Sequence, residues 1–252
     1  MNRFFVKKEN IDVKKIYIRD NEEVHHASKV LRLKEGEKVE VSDGEKFEYT
    51  CRITNVEKEE IELEILEKKE CESESKNKYH LFQGMPKQGK LDDIVQKSIE
   101  LGVYSVTPIY MKRSIVTKTS KDEKKTERLN TIALSAAKQS KRGIVPKVNK
   151  AIPFADVIKD LEAMDLIIFP YEEEKGKNIK ELLTVVTEKD ILMSGKESDI
   201  GIIIGPEGGF AEEEVKRLIS IAATPVTLGN RILRTETASI NVLSILMYEL
   251  EM

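Results

Sequence analysis

Between Ile200 and Phe210 the chain reads Ile-Gly-Ile-Ile-Ile-Gly-Pro-Glu-Gly-Gly-Phe, and no other stretch limits the fold as strongly. An apolar run without polar alternation suits a strand buried on both faces, as in the middle of a parallel sheet. Asp165 to Phe169 is a second run of this kind. After Ile204, three glycines within five residues let the backbone turn sharply and approach a ligand closely. Ala211 to Ala222 then has helical spacing, with Val215, Leu218, Ile219 and Ala222 on one stripe. Glu212, Glu213 and Glu214 occupy its first turn, where the helix dipole favours acids. Strand, glycine-rich turn and helix in this order make an α/β unit. In open α/β sheets ligands bind at the carboxyl ends of the strands. The turn is not a P-loop, because no Lys-Ser/Thr follows, and it lacks the Gly-x-Gly-x-x-Gly spacing of dinucleotide sites. By itself it is equally compatible with a plain turn.

The front of the chain follows a different pattern. Phe47, Tyr49, Cys51 and Ile53 alternate with polar residues, as do Ile61, Leu63 and Ile65. A period of two marks half-exposed strands. Val39 and Val41 begin another strand, with Asp43-Gly44 as the turn after it. Asn21 to Leu33 reads as a short helix ended near Gly36, so residues 1–72 are expected to form a small β-barrel domain. Glu67 to Lys78 is polar and reads as a linker. From residue 73 to 252 the pattern is α/β: a helix over Lys87–Leu101 stopped by Gly102, a strand over Val103–Tyr110, a short strand over Pro225–Leu228 and a last helix over Thr237–Leu250. That last helix is apolar on most sides and is expected to be buried.

The formal net charge is −3, which by itself argues against a nucleic-acid partner. The distribution argues otherwise. Between Lys112 and Lys150 stand twelve basic residues and three acidic ones, an excess that attracts phosphates unless acidic neighbours in space balance it. Cys51 and Cys71 form no Cys-x-x-Cys and have no His at ligand spacing, so no metal site is expected. No apolar run approaches the ~20 residues that span a bilayer, and Met1–Lys8 has no apolar stretch behind its charges. A cytoplasmic protein with no membrane partner is the expectation.

A second stretch complements the glycine turn: Leu228-Gly229-Asn230-Arg231-Ile232-Leu233-Arg234-Thr235-Glu236-Thr237-Ala238. Ile232 and Leu233 offer apolar contact, and free backbone groups offer hydrogen bonds to a purine edge. The same residues are also what a helix start needs, with Thr235 or Thr237 as cap and an Arg–Glu pair beside it.

Together these two stretches resemble the paired cofactor loops of the SPOUT methyltransferases. More narrowly, they are similar to the bacterial family that methylates N3 of a uridine in small-subunit ribosomal RNA, the RsmE type. The resemblance extends to Gln96-Lys97-Ser98-Ile99-Glu100-Leu101-Gly102-Val103 and to Ala136-Ala137-Lys138-Gln139-Ser140-Lys141-Arg142 with Val145-Pro146. His26-Ala27-Ser28-Lys29-Val30-Leu31-Arg32-Leu33 resembles the family's PUA-like RNA-binding domain. One position departs: the resemblance implies an acid where this chain has Lys138.

The resemblance implies an α/β fold, a SPOUT-type trefoil-knotted parallel-sheet domain preceded by a PUA-like β-barrel, and a homodimer. It implies S-adenosyl-L-methionine as cofactor, held by Gly205, Pro206, Glu207, Gly208, Gly209, Leu228, Gly229, Ile232, Leu233 and Thr235. The partner implied is small-subunit (16S) ribosomal RNA, free or in the assembled 30S subunit. Candidate RNA contacts are Arg3, His26, Arg32, Arg113, Lys138, Gln139 and Arg142. Uridine N3 carries a proton at neutral pH, so the enzyme must remove it or stabilise the N3 anion. Arg234 is the candidate for stabilising the anion. Glu236 is either the base or the partner of Arg231 or Arg234 in a salt bridge. Tyr171, after Pro170, is either a stacking ring at the pocket or a surface tyrosine. Two rivals remain from the residues alone: a non-enzymatic RNA-binding protein with a dimerising α/β domain, and an α/β enzyme acting on a small nucleotide-like substrate.

Overall fold

The structure, a computed structural model, describes residues 1–87, 89–188 and 197–251. The chain divides into two units, one of residues 1–74 with 137–145, the other of residues 75–136 with 146–252.

In the first unit the alternating residues form strands. β1 (Asn2–Phe5), β2 (Lys15–Ile18), β3 (Lys38–Ser42), β4 (Phe47–Val56) and β5 (Ile61–Glu70) make one sheet in the order β1-β3-β4-β5-β2. β1 and β3 run parallel, and the other pairs are antiparallel. The period of two puts Tyr49, Cys51, Ile53, Ile61 and Leu63 into the core with Phe4, Ile16, Ile18, Val39 and Val41. The Asp43 carboxylate accepts the amides of Glu45, Lys46 and Phe47, which closes the turn between β3 and β4. α1 (Asn21–His25) is capped by Asp20, which accepts the Glu22 and Glu23 amides. The chain then widens into one π-type turn over His26–Val30, shorter than the helix expected to Leu33. The expected linker also begins later, because β5 continues through Glu67–Glu70. This charged ribbon is held by its backbone ladder to Phe47–Thr50, which needs no apolar side chain.

The second unit is built on a parallel sheet. Its strands are β6 (Lys78–Gly84), β7 (Ser105–Tyr110), β8 (Lys147–Val148), β9 (Ile152–Pro153), β10 (Leu166–Pro170), β11 (Asp199–Ile204) and β12 (Thr224–Val226). The order is β12-β10-β11-β6-β7-β8, with β9 also pairing with β7. Every described pairing is parallel. β11, the apolar run, lies between β10 and β6, so both its edges and both its faces are covered. The helices are α2 (Lys90–Glu100), α3 (Asp122–Gln139), α4 (Phe154–Glu162), α5 (Ile179–Glu188), α6 (Glu212–Ser220) and α7 (Thr235–Glu251). α2 starts at Lys90 rather than Lys87, after Gly89 at φ +92°; Gln88, within the expected span, lies outside the described residues. At the start of α6, Glu214 reaches back to accept the Ala211 amide, and its other oxygen takes the Lys112 amide. α7 differs from expectation. Val242, Leu243 and Leu246 are fully buried, but Tyr248 is 68% exposed, because only one stripe of the helix faces α2 and the sheet. Among the described residues no helix is long and apolar enough to cross a membrane.

Candidate active site

β6 and β11 run side by side and end together at Gly84 and Ile204. A Cβ on Gly84 would lie 2.5 Å from the Pro206 nitrogen and 2.8 Å from the Ile204 oxygen. The glycine turn crosses where that side chain would stand, so this position requires glycine. Within the turn, Gly209 adopts φ +68°, a conformation that favours glycine.

The start of α7 is fastened to the same place. The Thr235 hydroxyl donates to the Gly205 oxygen at 2.7 Å and accepts from the Gln83 amide nitrogen at 2.8 Å. Ser239, one turn later, donates to the Gln83 amide oxygen at 2.5 Å. Gln83 and Ser239 are fully buried, and every one of these polar groups is satisfied. A satisfied buried network of this kind fixes a single arrangement of the segments that share it.

Above this network lies a cavity of about 670 Å³, within the range of ligand sites. Its wall brings together Gly205, Pro206, Glu207 and Gly209 from the turn with Leu228, Gly229, Ile232, Leu233, Arg234 and Thr235 from the second loop. Pro170, the last residue of β10, and Tyr171 after it close another side. The Tyr171 ring is half-buried, 6.1 Å from the Phe169 ring, which packs edge-on against Phe210. Ile232 stands 85% exposed at the wall. Apolar side chains beside bare glycine backbone fit an adenine-bearing ligand in chemistry, and charged side chains, among them Glu172, Glu207 and Arg231, stand on the same wall.

Two of the expected site residues stand off this wall. Gly208 packs against Arg113: a Cβ there would lie 2.9 Å from the Arg113 oxygen, and the Arg113 guanidinium donates to the Gly208 oxygen at 3.3 Å. Glu236 also stands outside the lining residues, and its carboxylate accepts from Lys90 at 3.1 Å. Of the two readings of Glu236, the structure draws an ion pair, with Lys90 instead of either arginine. Lys90 itself lines the pocket and had no signal in the sequence beyond a helix-start lysine. It also lies 3.3 Å from Glu207. Burial works against ionising Glu207, but the Lys87 amide, its own amide and Lys90 outweigh it and hold its carboxyl below the usual range.

The candidate RNA contacts divide. His26, Arg32, Arg113 and Gln139 are exposed. Arg32 holds φ +53°, a left-handed conformation uncommon for a side-chain-bearing residue. Arg3 is buried and paired with Glu48 and Glu40. Lys138 is paired with Glu23, so the unexpected cation brings its own counter-charge. Arg142 is buried against Glu74, whose carboxylate also accepts the Gly143 amide. The basic excess is therefore partly cancelled, since Lys112, Arg128 and Lys150 are paired with Glu213, Asp92 and Glu123 as well. Lys118, Lys121, Lys124 and Lys141 are exposed and form no ion pair among the described residues.

A parallel-sheet domain with a pocket at its strand ends, carried with a small β-domain, is matched by two family models that place the chain in the RNA methyltransferase class. The model of the RNA methyltransferase domain matches residues 73–247, and that of the RNA methyltransferase PUA domain matches residues 18–66. Ribosomal RNA small subunit methyltransferase E of Bacillus subtilis is 34% identical over 100% of this chain and 98% of its own length. That of Aquifex aeolicus is 32% identical over 92% and 93%. The crystal structure of the Neisseria gonorrhoeae enzyme bound to S-adenosyl methionine superposes with a TM-score of 0.81 at 29% identity, covering 99% of this chain and 98% of that one. A putative methyltransferase of Legionella pneumophila, in complex with the same cofactor, gives 0.82 at 28% identity over 98% and 97%. The chain belongs to the ribosomal RNA small subunit methyltransferase E family.

Proposed function

We propose that this protein transfers a methyl group from S-adenosyl-L-methionine to N3 of a uridine in small-subunit ribosomal RNA, as a homodimer. The observation that carries the reading is the pocket itself: both family loops meet in one cavity and are joined through Thr235. The relatives' names and the cofactor in two neighbouring structures support the substrate and the donor. A purely RNA-binding role leaves this pocket without a use.

The apolar wall and the glycine backbone of residues 205–209 and 228–233 would hold the cofactor. Bound there, it would supply an electrophilic methyl on sulfonium, with the thioether as leaving group, to an N3 that has given up its proton. The difficulty lies with the acceptor, because each pKa unit by which N3 is protonated costs ~1.4 kcal/mol. Arg234, on the pocket wall and exposed at its mouth, supplies the positive charge for the uracil anion. Glu236 is given an ion-pair role here in place of proton removal, since Lys90 engages its carboxylate. For RNA, His26, Arg32, Arg113 and Gln139, with Lys121 and Lys124, are among the exposed groups available to phosphates and splayed bases. Arg3, Lys138 and Arg142 serve by shaping the unit that presents them.

The test is transfer of a radiolabelled methyl group from S-adenosylmethionine to unmodified small ribosomal subunits, followed by digestion to nucleosides. Label in N3-methyluridine is expected. Label in another nucleoside overturns the site of methylation, and cofactor binding without transfer to any ribosomal RNA overturns the substrate.

A further inference from the structure

Lys90 has the wrong sign for its place. It is the first residue of α2, where the helix dipole disfavours a cation. Two carboxylates offset this: its ammonium lies 3.3 Å from Glu207 and 3.1 Å from Glu236. One acid belongs to the glycine turn and the other to the first turn of α7. A single cation therefore ties together the two loops that form the pocket.

The choice of partner for Glu236 is informative. Arg231 and Arg234 stand within five residues of it in the chain, yet its partner is 146 positions away. Both arginines line the pocket, and among the described residues neither makes an ion pair. We propose that Lys90 is a positioning residue: by holding Glu236 it keeps that carboxylate off Arg231 and Arg234, and so leaves Arg234 free for the acceptor base. Removing the ammonium leaves a half-buried carboxylate without its partner, two and five residues along the chain from Arg234 and Arg231, and carboxylate–guanidinium pairs are among the strongest charge-assisted hydrogen bonds. An Arg234 engaged in that way no longer offers its charge to the uracil oxygens. This inference rests on the methyl-transfer reading above.

The test uses the full chain, S-adenosylmethionine and small ribosomal subunits. Lys90→Met keeps the length of the side chain and removes its charge. It is expected to lower kcat, at saturating cofactor and RNA, about tenfold or more. Adding Glu236→Gln is expected to restore most of the loss, because a neutral amide does not compete for Arg234. Lys90→Arg keeps turnover near that of the parent. Melting curves and titration with S-adenosylhomocysteine show that each variant is folded and binds the cofactor. A double variant no faster than Lys90→Met overturns the proposal, as does a Lys90→Met enzyme within about twofold of the parent. Failure of the parent itself to transfer methyl overturns the functional reading, and with it this proposal; the variant ratios overturn this proposal alone.

Discussion

The Thr235 hydroxyl hydrogen-bonds the main-chain oxygen of Gly205 across 2.7 Å, so the first residue of α7 holds the first residue of the glycine turn. Thr235→Val keeps the shape and removes this bond. It also strips the Gln83 amide nitrogen of one of its two acceptors. Leaving buried polar groups unpaired costs about 1–3 kcal/mol. The midpoint of urea unfolding should fall accordingly. Affinity for S-adenosylhomocysteine should fall several-fold beyond that, because the two pocket loops lose their registration. Thr235→Ser, which keeps the hydroxyl, should stay close to the parent in both measurements.

Gly84 makes the converse case, where adding one methyl group is harmful. The new Cβ of Gly84→Ala meets the backbone of residues 204–206 at 2.5–2.8 Å, and none of those atoms can swing aside as a side chain does. Overpacking of this kind costs about 1–3 kcal/mol. Displacement of the turn should weaken cofactor binding as well. Calorimetric titration and a melting curve check both, and an unchanged affinity would show that the turn moves independently of β6.

Thr235 is legible in the sequence as a helix cap and pocket residue, whereas nothing in the sequence marks Gly84. β4 and β5 are legible because Tyr49, Cys51, Ile53, Ile61 and Leu63 alternate without interruption, and every one is buried, whereas β1 and β2, four residues each, give no such signal. α6 is legible from its spacing and its acidic first turn, but of the expected stripe only Val215 and Leu218 are buried, while Ile219 is 54% exposed and Ala222 lies beyond the helix end. β6 had no such signal, although it lies near the middle of the parallel sheet. Lys78, His80 and Gln83 interrupt its apolar run, and each is satisfied by a residue far along the chain: Glu197, Asp199 and Thr235. Lys90 was illegible for the same reason. Its two acids become neighbours only when β6, β11 and α7 are assembled. The charge excess of residues 112–150 was counted correctly in the sequence, but a count does not see Glu23, Glu74 or Asp92 folding against it.

Arg234 carries the chemical prediction. Removing one preorganised group that stabilises a developing anion lowers kcat by about 10²–10³. Arg234→Ala should show this loss while S-adenosylhomocysteine binds within a few-fold of normal. Single-turnover kinetics at saturating RNA separates the two effects. Near-normal turnover with intact cofactor binding would remove the arginine from the reaction.

The two cysteines should behave differently. Burial pushes the Cys51 thiol up to about 12, whereas Cys71 is only half-buried. A disulfide reagent at pH 8 should label one thiol per chain quickly and the second only on unfolding. The linkage has a definite sign. The folded chain keeps the Cys51 proton to higher pH than the unfolded chain, whose thiol ionises near its ordinary value of 9.0. The contribution is therefore fully present below pH 9 and is lost progressively as pH rises from about 9 to about 12. Cys51→Ala should flatten this alkaline loss of stability.

Ion pairing sorts the basic residues into two kinds, and salt tells them apart. Lys121 and Lys124 are exposed and carry no ion pair among the described residues, so any RNA phosphates they meet exchange with counterions. Replacing both with Gln should weaken RNA binding and reduce the slope of log affinity against log salt by ~0.7 per lysine for single-stranded RNA. Arg142 is buried and holds Glu74 through its Nε and Nη2, at 2.8 and 2.6 Å. Arg142→Ala leaves a carboxylate without its main partner, at a cost of roughly 2–3 kcal/mol. It should lower the melting temperature and leave the salt slope of the still-folded protein unchanged. Filter binding across a salt series, run beside a melting curve, measures both. A slope that falls with Arg142→Ala and holds with the lysine pair would reverse the assignment and place the RNA phosphates at the turn after α3.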